Sequence, residues 1–285
     1  MSIQAERFTA PCTHHGEGPF WDAANDRLLV VDMLAGAVVA VDADGGTERR
    51  PVAKVAAAIR ARRGGGYVLA TENRFALLGP DLTEERLLPP VFTDPSIRMN
   101  DGGCDPQGRF YCGTMAYDET PGAGTLYRLD PDGNVAVTLR GVTISNGLQW
   151  SSAGDTVFYN DTPTGRVDRF TFDPDSAAFT ERRTFAEITG GGQPDGMAID
   201  EEDGVWIALW GGGAVHRYDP AGRLDLVVEL PVSNVTACAF GGADRRTLFI
   251  TTSREGIDPD DQPDAGAVFR YSAEVRGAPQ HAYAG

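Results

Sequence analysis

At four corresponding places of an internal repeat this 285-residue chain sets an acid or an amide immediately before a glycine: Glu17 in EGPFW, Asp101 in DGGCD, Asn146 in NGLQW and Asp195 in DGMAI. A single such pair is ordinary turn chemistry, because short polar side chains bond their own backbone and glycine accepts positive φ. Four of them at corresponding places of an internal repeat predict convergence on one centre. Carboxylates gathered where water is scarce repel one another and resist ionisation unless a cation neutralises them. Oxygen donors from Glu, Asn and Asp favour a hard divalent ion such as Ca²⁺, Mg²⁺ or Mn²⁺ over a Cys/His zinc site. The expectation is a metal at the mouth of a channel, with coordination positions left open for substrate.

Two further residues join this set. Arg98 and Asn100 precede Asp101 at alternating positions in RMND, so both face the same cavity if the segment is a strand. A guanidinium and an amide there suit the oxygens of a hydroxylated or anionic small molecule. The competing reading makes Arg98 a surface arginine or a counter-ion for Asp101. His15 stands two residues before Glu17 and shares its strand face, either reaching the cavity or serving as a hydrogen-bonded structural histidine. Other chemistries lack their residues. The sequence has no G-x-S-x-G elbow and no Walker A pattern, and its 4 histidines supply a Ser-His-Asp triad poorly. The Gly triplets at 64–66, 190–192 and 211–213 read as tight turns between strands.

The elements that must position these residues are strands. Period-two apolar alternation runs through the chain, and a sustained helical period is nearly absent. Pairs of β-rich runs recur in one order: RLLVVDM with GAVVAVD, GYVLATE with NRFALLG, RFYCGTM with GTLYRLD, TVFYND with GRVDRFTFD, VWIALW with GAVHRYD, and TLFITTS with GAVFRYS. The turns before the first member of each pair fall near Asp26, Gly65, Gly108, Gly154, Gly204 and Arg245, at intervals of 39, 43, 46, 50 and 41 residues. A four-stranded propeller blade repeats every ~40–45 residues. The fold class expected is therefore all-β, a six-bladed β-propeller forming one domain over residues 1–285. The innermost strand of each blade lies just upstream of its pair, so the acid-Gly and amide-Gly positions ring the axis. Repeats two and six carry AAAIR and VTACAF there and supply no carboxylate. The segment VAKVAAAIRAR (52–62) has helical propensity, but its place in the repeat predicts an inner strand. The separators DPQG, DPDG and DPAG read as type I turns whose acids are solvated. The N-terminal ERFTAPC stretch is a candidate to pair into the last blade and close the ring.

Composition narrows the partners. With 25 basic and 41 acidic residues the formal charge is −16, which repels phosphate backbones and anionic membranes and argues against nucleic acid or lipid as partner. Cys12, Cys104, Cys112 and Cys238 lack C-x-x-C spacing and sit in or near apolar segments, as small hydrophobes do. Neither a signal pattern nor a membrane-spanning run is present, so a cytoplasmic protein is expected. A single acidic propeller gives no sign of assembly, and a monomer is expected.

The segments GEGPFW, RMNDGGCDPQGRFYCGTM, SNGLQWS, PDGMAID and CAFGGADRRTLFITTS, in this order and down to the closing HAYAG, resemble the SMP-30/gluconolactonase/LRE-like family over nearly the whole chain. The resemblance implies a six-bladed propeller with one divalent metal at one end of the channel: calcium first, with Mn²⁺, Mg²⁺, Zn²⁺ or Fe²⁺ compatible. It implies that Glu17, Asn146 and Asp195 are metal ligands, that Asp195 also acts as general base, and that Arg98 and Asn100 contact substrate. It makes Asp101 a neighbour of the site rather than a ligand. The implied activity is hydrolysis of a small sugar lactone to the aldonic acid. Two departures stand out. Tyr117-Asp118 follows GTMA where related members carry acids, which leaves Asp118 a candidate substrate contact in an exposed Gly/Pro-rich segment. His15 stands where an apolar residue is usual. The alternatives are a same-site hydrolase for non-sugar lactones or phosphotriesters, and a non-enzymatic calcium-binding propeller.

Overall fold

The computed structural model describes residues 3–285. Its strands form six separate sheets, in each of which consecutive strands pair in antiparallel order. The innermost strands are Gly16–Asp22, Ala58–Ala61, Ile97–Cys104, Ser145–Trp150, Gln193–Ile199 and Val235–Gly241. Each lies against the next, and the sixth lies against the first, so the ring closes as a six-bladed β-propeller.

Burial falls from the axis outward. Second strands such as Arg27–Asp32 and Val205–Trp210 are almost wholly buried, because each sheet is covered on both faces by its neighbours. That is why they read as unbroken apolar runs. Outer strands Thr47–Pro51 and Glu84–Leu87 are exposed along their length and carry charges, which discourages pairing with a second chain. The alanine-rich 52–62 segment is a strand from Ala58 to Ala61, and Val55 to Ile59 are all buried. Burial against two neighbouring sheets outweighs helix propensity there.

The repeat markers have a backbone basis. Asp26, Gly65, Gly108, Gly154 and Arg245 adopt positive φ (50°, 96°, 91°, 70° and 57°), and in the fifth blade the turn falls on Asp203 (61°), one residue before Gly204. The N-terminus closes the ring as expected: Glu6–Arg7 pairs antiparallel with Phe269–Ser272. An additional strand, Ile3–Gln4, runs parallel to Leu224–Glu229 in the fifth blade.

The acidic turns need a correction. Asp105 of DPQG is completely buried; it pairs with Arg109 and accepts a hydrogen bond from Tyr111 Oη at 3.1 Å. Asp22 and Asp200 do the same in other blades, with Arg27 and Tyr67 and with Arg217 and Trp206. Part of the acidity is thus buried inter-strand pairing.

At the far mouth of the channel the C-terminal segment crosses between blades. Gly277 bridges to Asp200, Tyr283 bridges to Arg62, and Ala284 donates its N–H to Gly108 O at 2.8 Å. Among the described residues no helix is long and apolar enough to cross a membrane.

Candidate active site

The acid-Gly and amide-Gly positions are β-bulges. Pairing between first and second strands breaks register between Glu17 and Phe20, Met99 and Gly102, Asn146 and Leu148, Pro194 and Met197, and Val235 and Ala237. A bulge bends its strand and re-aims a side chain. In the second blade the first and second strands pair without a break. Glycine is required where the backbones crowd: a Cβ on Gly147 would lie 2.6 Å from Asn160 Nδ2 and 2.7 Å from Asp195 O.

Glu17, Asn146 and Asp195 come together at the end of the channel where the inner strands begin, and all three are buried. Burial first, and then the charges of Glu17 and Asp101, raise the Asp195 carboxyl well above its ordinary range. Burial and then Asp101 push Glu17 up to about 8. Asn146 donates from Nδ2 to Thr162 Oγ1 at 3.0 Å, and Thr162 Oγ1 donates to Pro194 O at 2.9 Å, so the amide orientation is fixed. Asn146 Oδ1 and Asp195 Oδ1 are nevertheless fully enclosed, with no hydrogen-bond partner among the described residues. A buried acceptor left unmatched costs about 1–3 kcal/mol. Two such oxygens beside a carboxyl that resists ionisation fit a hard divalent cation. Among the described residues no three His, Cys, Asp or Glu side chains form a metal-holding group by themselves. A cation held here would need the amide of Asn146 as a third ligand beside Glu17 and Asp195.

Asp101 occupies a different level. It lines an axial cavity of about 240 Å³ together with Arg60, Gly196 and, at the far end, His281, whereas Glu17, Asn146 and Asp195 do not line it. Its Oδ1 accepts the Gly102 N–H at 2.7 Å, and its charge still acts on Glu17 and Asp195.

Arg98 is buried beside the ligand cluster. Its Nη1 donates to Asn100 Oδ1 at 2.6 Å and to Met99 O at 3.1 Å, and lies 3.0 Å from Met33 Sδ. Asn100 in turn donates to Ser145 O at 3.0 Å. The amide of Asn100 is therefore engaged with protein on both sides and orients the guanidinium. Tyr117 packs its ring 5.9 Å from the guanidinium carbon of Arg98 and donates from Oη to Glu72 at 2.7 Å. Asp118 is exposed and folds onto its own turn, accepting from Thr120 N at 3.1 Å and Thr120 Oγ1 at 2.7 Å. The side chain that meets Arg98 from this segment is the tyrosine.

His15 is buried, with Nδ1 2.8 Å from Ser253 Oγ and its ring edge on Trp210. Burial, and then the nearby Arg98 charge, hold it down to about 3, so the imidazole is neutral. The hydrogen-bonded structural histidine is what the structure shows, placed in the wall of the mouth.

Sequence comparison decides the kinship. The profile of the SMP-30/Gluconolactonase/LRE-like region matches residues 15–254. The chain belongs to the SMP-30/Gluconolactonase/LRE-like family. It is 36% identical over 306 residues to regucalcin of Oryctolagus cuniculus, covering 100% of this chain and 99% of that protein. It is 36% identical over 287 residues to regucalcin of Homo sapiens, covering 95% of each. Among solved structures, a calcium-binding protein, regucalcin, from Agrobacterium tumefaciens superposes with a TM-score of 0.92 at 27% identity, covering 99% of both chains. A gluconolactonase from Xanthomonas campestris shares the fold at a TM-score of 0.73 and 20% identity. For this family member, sequence reading missed Tyr117, Ser253, Thr162 and Asn160 as neighbours of the site. Asn160 holds the ligand strand in place by donating to Asp195 O at 2.7 Å. The one available signal was position: Asn160 and Thr162 lie at the end of a second strand, the same end as Glu17.

Proposed function

We propose that this protein is a divalent-metal-dependent lactonase that opens a small sugar lactone to the aldonic acid. The observation that carries the reading is the pair of enclosed, unpartnered oxygens, Asn146 Oδ1 and Asp195 Oδ1, beside Glu17 and a buried arginine. Membership of a family described by gluconolactonase supports the reaction class, and the calcium-binding relative supports calcium as the ion. Glu17, Asn146 and Asp195 hold the cation, which when bound supplies Lewis-acid polarisation of the lactone carbonyl. Asp195, ionised once a cation is held, accepts the proton of the attacking water. Arg98, braced by Asn100, binds the ring substituents and fixes the carbonyl at the cation side. Water adds to the carbonyl carbon as Asp195 takes its proton, the ring C–O bond breaks, and Asp195 returns that proton to the departing ring oxygen, which leaves as a hydroxyl.

The test strips metal with chelator, re-adds ions singly, and follows acid release from a panel of aldonolactones. Turnover restored by one or more divalent ions is expected. Asp195→Ala should abolish it, and Arg98→Ala should mainly raise KM. An Asp195→Ala protein with normal kcat, or a metal-loaded protein inert to every lactone, overturns the reading. Calcium binding without turnover would favour the non-enzymatic propeller, a reading that leaves the buried Arg98 without a use.

A further inference from the structure

The guanidinium of Arg98 is half used. All of its hydrogen bonds among the described residues run through Nη1, and neither Nε nor Nη2 has a hydrogen-bond partner there. Among the described residues no carboxylate oxygen lies within 4.0 Å of it; Glu17, Asp195 and the half-exposed Glu255 act on it only at longer range. Neither Nε nor Nη2 is fully enclosed, although Arg98 as a whole is only 7% exposed. The free Nε–Nη2 edge is the planar fork that matches a carboxylate with two parallel hydrogen bonds. A hydroxyl uses one arm of that fork, and a neutral ring leaves a desolvated cation uncompensated. Tyr117 walls the guanidinium on one side and is itself tied to Glu72 and, through it, to Lys54. That chain holds the ring in position over the charge.

Resting on the lactonase reading, we propose that the preferred substrate carries a carboxylate in addition to the lactone: the monolactone of a sugar diacid, its free carboxylate held on the Nε–Nη2 edge of Arg98 against Tyr117. The hydrolysis is unchanged; its product is the open diacid.

Calorimetry on the calcium-saturated protein with glucarate and gluconate tests this directly, since the two share hydroxyl configuration and differ by one carboxylate. Glucarate should bind about ten- to hundred-fold tighter, the range of a charged hydrogen-bonded pair, and added salt should narrow the gap. Arg98→Met should remove the preference. Arg98→Lys, which keeps the charge but not the fork, should keep only part of it, and Tyr117→Ala should weaken glucarate more than gluconate. In turnover, kcat/KM for glucarolactone should exceed that for gluconolactone by a similar factor. Equal affinities in the unmodified protein, or a preference that survives Arg98→Met (chelation of the ion by the second carboxylate), overturns the proposal. If Arg98→Met does not fold, the unmodified comparison and Arg98→Lys decide. Failure to hydrolyse any lactone would sink the lactonase reading alone, because the calorimetric preference judges Arg98 independently.

Discussion

At the scale of residues, the proposed ligand cluster is an unfavourable arrangement that a cation would relieve. Glu17 has its proton affinity raised from the ordinary 4.5 to about 8 by burial and then by Asp101. In the metal-free protein this raised value favours the folded state below the unfolded value and is lost as pH rises through about 8. Asp195 acts in the same direction. A cation replaces the protons, so the gain in Tm on adding calcium to chelator-treated protein should grow between about pH 6 and about pH 9. His15 has the opposite sign. Held down to about 3, it stays neutral in the fold while the unfolded chain takes up a proton below its ordinary 6.5, so its contribution is lost on the acid side. Differential scanning calorimetry from about pH 3 to about pH 9 checks both; a calcium-induced gain that shrinks toward alkaline pH contradicts the Glu17 account.

At the scale of elements, the site depends on how each inner strand is started. Asp32, at the end of a second strand, accepts the backbone N–H of His14 at 3.1 Å and of His15 at 3.0 Å, and pairs with Arg49. Asp161 does the same in the fourth blade for Thr143 and Ile144, just upstream of Asn146. Burial raises the Asp32 carboxyl, but these N–H groups and Arg49 outweigh it and the net effect is downward. Removing the carboxylate strands two N–H groups, one of them buried, so Asp32→Ala should cost about 1–3 kcal/mol in urea unfolding. It should also weaken calcium binding, because Glu17 lies two residues beyond the clamp. An Asp32→Ala protein with unchanged unfolding midpoint and calcium affinity would show that the clamp is dispensable. Much of this scale was legible in the sequence: the pairs of runs, their turns and the acid-Gly or amide-Gly bulges follow from local spacing, and Glu17, Asn146 and Asp195 were found by their register in that repeat. Ser253 on His15 was not legible, since that contact joins the sixth blade to the first and depends on how the ring closes. Tyr117 and Arg98 stand at the paired ends of two strands of the third blade, but RMND and GTMAY do not say which side chain turns over the guanidinium. Nor was the burial of Asp105, because DPQG is a turn whether or not an arginine reaches back to cover it.

At the scale of the molecule, the two mouths of the channel have separate work. One gathers the ligand cluster, Arg98, Tyr117 and His15; the other is crossed by the C-terminal segment, which ties blades that are not neighbours in the ring. Tyr283 is the centre of that tie. Its ring is 2% exposed, its Oη donates to Asp130 O at 2.9 Å in the third blade, and its backbone exchanges hydrogen bonds with Ala61 and Arg63 in the second. Ala278 donates to Ile199 O in the fifth blade at 3.0 Å, on the opposite side of the far mouth. A large aromatic cut to alanine in a packed interior costs about 3–5 kcal/mol, so Tyr283→Ala should lower the urea midpoint clearly. The proposed ligand cluster lies at the other end of the inner strands, with the axial cavity between them; each of its three strands has its own bulge, and those of Glu17 and Asn146 also have an aspartate clamp. Calcium affinity of the folded Tyr283→Ala protein should therefore change less than about three-fold, within the scatter expected of distant, independent sites. Urea unfolding and calcium titration of the same preparation check the pair of outcomes. A large loss of calcium affinity in a protein that remains folded would mean that the strap at the far mouth sets the spacing of the inner strands along their whole length, and that the two ends of the channel act as one unit.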